Sequence, residues 1–493
     1  MPKETNKRMV TAAILISTFL AAIEGTIVTT AVPKIVSDLG GLELISWVVS
    51  VYLLTSAVTT PIFGKMADLY GRKIVFTIGA VVFLIGSMLS GMAQTMAQLI
   101  VFRALQGIGA GGILPITFTI VGDIYPFKER ARVQGWISGM WGIAGILGPV
   151  TGGVLVDYVS WRWVFYMNVP FGLVAIVMLW LSLHEQIEKE KKPIDYWGVL
   201  TFTIGMTALI YALLSGGTTY PWQSGFIIGC FAIAFVAMSV FFAIETKVRE
   251  PMLPLHLFKN RFISVSILAG LLLGGILVAV DFYIPLWIQG VYGMGALESG
   301  LTLIPMSISW PLGAALSGRL IGHLGLRKTT LLGMVCVFVG VTGLAFLNMA
   351  MPHVVLYVIA LVLGFGFGIV MTSYTVTVQS AVDWQLRGTA LGSNQFMRTL
   401  GQTIGIVVFG AIFNLQMAGY LSRYGQDVIT SGDVDVNEAL HPEVADKLPP
   451  DVLHTVREAI AFGLHDVFFW LTILAAAVFL LSFLLPKHEG HAE

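Results

Sequence analysis

The sequence predicts an all-α polytopic membrane protein, and three observations carry that expectation. Of 493 residues, 56% are apolar, while 28 are basic and 28 acidic; a soluble chain of this length needs roughly 25% charged residues, about 120. The apolar residues fall in long runs, not in the alternation of a barrel strand. Those runs number fourteen, near 9–33, 44–63, 74–95, 98–122, 135–156, 163–183, 196–215, 223–244, 262–288, 299–318, 329–348, 353–377, 388–414 and 464–485. Each can cross about 30 Å of hydrocarbon, which takes roughly 20 helical residues.

Charge placement orients the spans. With fourteen spans both termini share one side, and 21 Lys and Arg fall on that side against 5 on the other, leaving Arg103 and Arg398 inside spans. The positive-inside rule makes that side cytoplasmic, so a multi-pass cell-membrane protein with both termini cytoplasmic is expected. The first span follows a short basic segment but is too long for a signal-peptide core, so it is read as retained. The long stretch 415–461, rich in Asp and Glu from Asp427 to Glu458, is expected outside. Its charges either keep it out of the bilayer or concentrate cations near an external mouth.

Several classes of function are disfavoured. Acidic and basic residues balance, so nothing points to nucleic acid. The only cysteines, Cys230 and Cys336, lie in apolar runs, and no HExxH or P-loop pattern occurs, so no metal, cofactor or nucleotide hydrolysis is expected.

An internal repeat sets the architecture. Gly64-Lys65-Met66-Ala67-Asp68-Leu69-Tyr70-Gly71-Arg72-Lys73 follows the second span, and Gly318 to Lys328 follows the tenth. At an offset of 254, Gly64 aligns with Gly318, Lys65 with Arg319, Gly71 with Gly325 and Lys73 with Arg327, while Gly322 replaces Asp68. Two six-helix halves separated by two extra helices, 6+2+6, follow: an N-terminal bundle over 1–188, the added pair over 189–250 and a C-terminal bundle over 251–493. Two related halves around a midplane site form a transporter architecture.

The motifs resemble those of the major facilitator superfamily, specifically its fourteen-span drug:proton antiporter family. The Gly64 to Lys73 run resembles the superfamily's loop between helices two and three. Arg103-Ala104-Leu105-Gln106-Gly107-Ile108-Gly109-Ala110-Gly111 resembles the fourth-helix motif with its buried arginine, and Gly145 to Gly153 is similar to the exporters' fifth-helix motif. Trp161 to Gly172 looks like the start of helix six, and Glu24 to Pro33 resembles the first-helix motif. The family usually has aspartate where this chain has Glu24, and glycine where it has Ala144. The resemblance implies a major facilitator fold and proton-coupled multidrug efflux by alternating access. It also implies that Gly64, Asp68, Gly71 and Arg72 form a cytoplasmic latch whose acid faces a helix N-terminus and holds the outward-open state.

Individual residues set the expected chemistry. Glu24, deep in the first span, and Asp281, four residues before Pro285 in the ninth, are the principal buried acids, with Arg103 beside a glycine face. Each can serve proton coupling or substrate contact, or act as a local polar support. No histidine is expected in the middle of a span, His465 being placed at an edge, so coupling is assigned to carboxylates. Gly148, Pro149, Gly152 and Gly153 are expected to allow bending and close contact between the halves. Tyr374, Gln379, Asn394 and Arg398 are candidate polar lining, Asn394 and Arg398 sharing one helix face. The acids favour hydrophobic cationic cargo, although a single endogenous metabolite or lipid fits the same fold. An enzyme or sensor is disfavoured because no catalytic constellation is present. The partners expected are protons, small molecules and membrane lipids, with function as a monomer.

Overall fold

The computed structural model describes residues 5–39, 45–185, 195–217, 219–248, 251, 253, 255–294, 296–424 and 449–485, and these are almost wholly helical. In chain order the helices are α1 (Lys7–Leu39), α2 (Ile45–Tyr70), α3 (Arg72–Met92), α4 (Met96–Ile124), α5 (Phe127–Tyr158), α6 (Trp163–Tyr166), α7 (Asn168–Ser182), α8 (Tyr196–Ser215), α9 (Gly225–Glu245), α10 (Arg261–Gly290), α11 (Ala296–Thr302), α12 (Ile304–Leu324), α13 (Leu326–Ala345), α14 (Val354–Ser380), α15 (Arg387–Tyr424) and α16 (Pro450–Ser482). Side-chain caps begin several of them, among them Thr95, which accepts the Gln98 N–H, Asp195 the Gly198 N–H, Ser224 the Ile227 N–H and Asn260 the Phe262 N–H.

Among the described residues, 13 helical segments are long and apolar enough to cross a membrane. The 32-residue α5 is also long enough, and its stretch 139–156 carries no charged residue. The chain is thus a multi-pass, all-helical membrane protein.

Two element boundaries differ from those expected. The second helix runs on to Tyr70, so Gly64 and Asp68 lie in its last turns and Arg72 opens α3. At the other end, α15 continues to Tyr424 and α16 starts at Pro450, so both ends of the expected non-helical stretch 415–461 are helical, while residues 425–448 lie outside those described. The amphipathic turns at both borders obscure the helix ends to a hydropathy reading.

The chain divides into two compact units, one of Met1–Leu268 with Thr372–Thr399, the other of Ala269–Met371 with Leu400–Glu493. In the first, α4 packs against α2 and α3, and α1 against α5 and α7. Glycine makes the α4 contacts possible. A Cβ at Gly107 would lie 2.4 Å from the Tyr52 carbonyl oxygen, one at Gly111 2.6 Å from that of Ser56, and one at Gly109 2.5 Å from that of Gly79. Such backbone approach is how helices associate where lipid removes the hydrophobic drive.

The second unit repeats this seam residue by residue. A Cβ at Gly364 would lie 2.3 Å from the Met306 oxygen, one at Gly368 2.1 Å from that of Trp310, and one at Gly366 2.9 Å from that of Gly333. Tyr52, Ser56 and Gly79 map onto Met306, Trp310 and Gly333 at the offset of 254 that relates Gly71 to Gly325. Both of those glycines join consecutive helices with positive φ, 91° and 78°, where a side chain is strained. The repeat read from one loop therefore extends through the packing of three helices in each unit.

Candidate functional site

Glu24 is fully buried on α1 and pairs with the Arg103 guanidinium of α4, itself 1% exposed. Its second oxygen accepts from Asn168 Nδ2 at 2.7 Å, and that nitrogen also reaches Ser87 Oγ at 2.9 Å. Arg103 donates through Nε to the Val48 carbonyl at 3.1 Å and through Nη1 to Gln106 Oε1 at 2.7 Å. Its face stacks on Tyr52, with Cζ 4.3 Å from the ring centroid. Residues of five helices, α1 to α4 and α7, thus form one network around this carboxylate. The Gln106 Nε2 and Asn168 Oδ1 atoms are buried without hydrogen-bond partners. Sequence reasoning found the acid and the arginine but not Ser87, Tyr52 or the roles of Gln106 and Asn168. The available signals were Gln106 one turn beyond Arg103 and an asparagine opening an apolar helix.

Near the motif run, Asp68 at the end of α2 meets the N-terminus of α15. Its Oδ1 accepts the Gly388 N–H at 2.8 Å, and its Oδ2 accepts the Thr389 N–H at 2.6 Å and the Thr389 hydroxyl at 2.8 Å. Four N–H groups at a helix start have no intrahelical acceptor, and the dipole favours an anion there. Arg72, with no exposed surface, lies 3.1 Å from Asp68, donates to Asp123 at 2.9 Å and covers the Trp384 ring at 3.8 Å. Asp123 also pairs with Arg387, whose Nε donates to the Gln379 carbonyl at 3.1 Å.

On the other side, Glu185 accepts the N–H groups of Arg72 and Lys73, both at 3.1 Å, capping α3. Burial pushes the Glu185 carboxyl upward from its ordinary range, against the opposing pull of the Lys73 N–H, the Arg72 charge and the Arg72 N–H. Asp123, Glu185, Arg387 and Trp384 were not anticipated, because in a single sequence they read as ordinary charges and an aromatic at span ends.

Glycine permits the α2–α15 contact. A Cβ at Gly64 would lie 2.6 Å from the Gly388 carbonyl oxygen and 3.2 Å from the Gly392 Cα. Because backbone cannot rotate away, Gly64→Ala is expected to separate these helix ends and cost about 1–3 kcal/mol. Hydrogen exchange should then show lost protection at the Gly388 and Thr389 amides; retained protection would contradict this reading.

The remaining predicted residues are dispersed. In the second unit, Asp281 lies on α10, solvent-accessible, with no hydrogen bond or ion pair to a described residue. In the first, Tyr374 is buried, and Gln379 is buried with its Nε2 donating to the Phe118 carbonyl at 2.8 Å, a tie between α14 and α4. Asn394 and Arg398 are half-buried on α15. On α5, Gly148 and Gly152 are buried along with Ala144, whereas a Cβ at Gly153 would meet open space among the described residues. The Pro149 side chain lies outside the described set.

His465 stands halfway along α16, not at an edge, because that helix begins earlier than its apolar run. Its ring meets Trp287 edge-on at 5.4 Å. Among the described residues no group of three His, Cys, Asp or Glu side chains is arranged to hold a metal.

Apolar helices with ionised side chains gathered into a few buried ties define a multi-pass membrane protein of the transporter class. The chain belongs to the Major Facilitator Superfamily, whose family model matches residues 14–406. It is 37% identical over 421 residues to the multidrug transporter protein MdtP of Bacillus subtilis, covering 85% of this chain and 78% of that one. It is 33% identical over 489 residues to multidrug resistance protein 3 of the same organism, covering 97% and 95%. Among solved structures, the human organic anion transporter MFSD10 shares its fold with a TM-score of 0.63 at 13% identity, covering 96% of this chain and 100% of that chain.

Proposed function

We propose that this chain exports hydrophobic small molecules, including cationic ones, by proton-coupled alternating access between two six-helix halves joined by α8 and α9. The observation carrying the proposal is the pair of intramembrane acids in opposite states: Glu24 locked by Arg103 and Asn168, and Asp281 exposed and without a partner among the described residues. An accessible acid inside a span can take up a proton or meet a cation, while a locked one can release its partner only when the helices rearrange. The names of the multidrug relatives support the direction and breadth of transport. No covalent step is required, and the membrane potential supplies about 2.3 kcal/mol per charge per 100 mV.

The test is pH-gradient-driven uptake of a cationic dye into inside-out vesicles at matched protein level. Asp281→Asn is expected to abolish uphill uptake while leaving gradient-free substrate exchange, because asparagine keeps the volume and cannot release a proton. Parental uptake and pH dependence would remove Asp281 from the coupling role.

The cytoplasmic placement of both termini and the external placement of 425–448 belong to the same proposal, supported by the 21 to 5 division of basic residues. In a background lacking Cys230 and Cys336, a cysteine replacing Asp433 should react with an impermeant thiol reagent in intact cells, whereas one replacing Lys189 should not. The reverse pattern would overturn this topology.

A further inference from the structure

The arginines of the first unit that lie in or beside apolar helices are for the most part saturated. Arg72 is held by Asp68, Asp123 and the Trp384 ring, Arg103 by Glu24, Gln106 and a carbonyl, and Arg387 by Asp123 and two carbonyls. Arg398 differs. It stands about 16 Å along α15 from Arg387, at 1.5 Å per residue. It has no hydrogen bond, ion pair or ring contact with any described residue. One turn earlier, Asn394 carries a buried side-chain oxygen that is also without a partner.

A guanidinium keeps its charge even where burial disfavours it, so Arg398 cannot relieve the cost by losing a proton. Facing hydrocarbon, an unpaired arginine at this depth is expensive, and those found within spans face water or a binding partner. Its fork of five donors matches the paired oxygens of a carboxylate, sulfonate or phosphate. The Asn394 oxygen adds one acceptor beside that fork, suited to a hydroxyl or amide N–H next to the acid. Packing of the buried Phe396 against Phe202 keeps the surroundings apolar.

We infer that Arg398 is a recognition residue for amphiphiles carrying an acidic group, so that the cargo of this protein includes organic anions as well as cations. The inference takes its setting from the export proposal, but it concerns binding and can be read without transport. An unpaired arginine inside a span is otherwise a cost with no return, whereas an acidic ligand would complete its hydrogen bonds where water competes poorly.

The experiment uses the full chain in phosphatidylcholine nanodiscs and three probes of one shape: 1-naphthaleneacetate, its neutral amide and 1-naphthylethylammonium. Equilibrium binding should favour the acetate over the amide by at least tenfold. Arg398→Gln should erase that preference and leave amide binding unchanged, and Arg398→Lys should retain part of it, keeping charge without the fork. A parent that does not prefer the acetate, or a preference that persists in Arg398→Gln, overturns the assignment.

If Arg398→Gln loses amide binding as well, as an unfolded variant would, the comparison passes to Arg398→Lys. There a weakened preference supports the inference and an undiminished one overturns it. Phosphatidylglycerol added to the nanodiscs distinguishes sources: displacement of the acetate makes a lipid headgroup a ligand of the same site, and no displacement assigns the site to soluble acids. Gradient-driven uptake of the ammonium probe into inside-out vesicles reads the export proposal separately. Absence of all uptake with acid preference intact would refute export and leave the anion site standing.

Discussion

Arg103→Met is expected to destabilise the protein by about 3–5 kcal/mol, because it leaves the Glu24 carboxylate in a site with no exposed surface and removes its one ionic partner among the described residues. Asn168 supplies one remaining hydrogen bond, which is too little to balance an ion taken out of water. Glu24→Gln alone should cost less, since the amide still accepts from Asn168 and the Arg103 guanidinium keeps the Val48 carbonyl, Gln106 and the Tyr52 ring. The double variant Glu24→Gln/Arg103→Met is therefore expected to be more stable than Arg103→Met. Unfolding of the purified single and double variants in one detergent closes the cycle. Arg103→Met as stable as the parent, or a double variant equal to the sum of the singles, would show that the two charges do not act as a pair.

This site shows where sequence reading stops. That Glu24 and Arg103 lie in spans was legible from hydropathy, because ionised residues in long apolar runs stand out. That they meet was not, since they lie on helices separated by 79 positions in sequence and no periodicity within one helix reports which face its neighbour presents. Packing glycines were legible only as a pattern of small residues. Their meaning emerges in three dimensions, where Gly107 and Gly364 each approach the carbonyl of an equivalent residue on an equivalent helix. The polar-lining expectation fared differently among its members. Gln379 lies against α4 near the helix end, tied to backbone, because a buried amide seeks an unpaired carbonyl as readily as a ligand. Arg398 and the Asn394 oxygen have no partner among the described residues, and the Gln379 tie leaves that side chain's own buried oxygen unmatched as well. Single-sequence chemistry could not separate these cases, as all four residue types are polar and sit in apolar runs.

Asp68→Asn is expected to shift the conformational equilibrium by about ten- to a hundredfold against the state in which α2 and α15 meet, equivalent to about 1.5–3 kcal/mol. The carboxylate accepts three hydrogen bonds from Gly388 and Thr389 and lies against the Arg72 guanidinium. Asparagine has one acceptor oxygen, and its amide nitrogen would confront either the helix N–H groups or the arginine, both of which are donors. The loss is therefore larger than that of a neutral cap, and the charge–dipole attraction disappears with it. Membrane insertion should be unaffected, since Arg72 retains Asp123 and the Trp384 ring. Spin labels replacing the exposed Tyr70, at the end of α2, and Gln385, just before α15, would report the α2–α15 separation by paramagnetic distance measurement. A broadened distribution in Asp68→Asn with slowed dye export is the expected pair of results. Identical distances with unchanged export would exclude the latch, whereas broadened distances with parental export would keep the contact and remove it from the rate-limiting step. Thr389→Val separates the hydroxyl from the backbone contribution: it removes one of the three hydrogen bonds and leaves both N–H donors, so its shift should be the smaller.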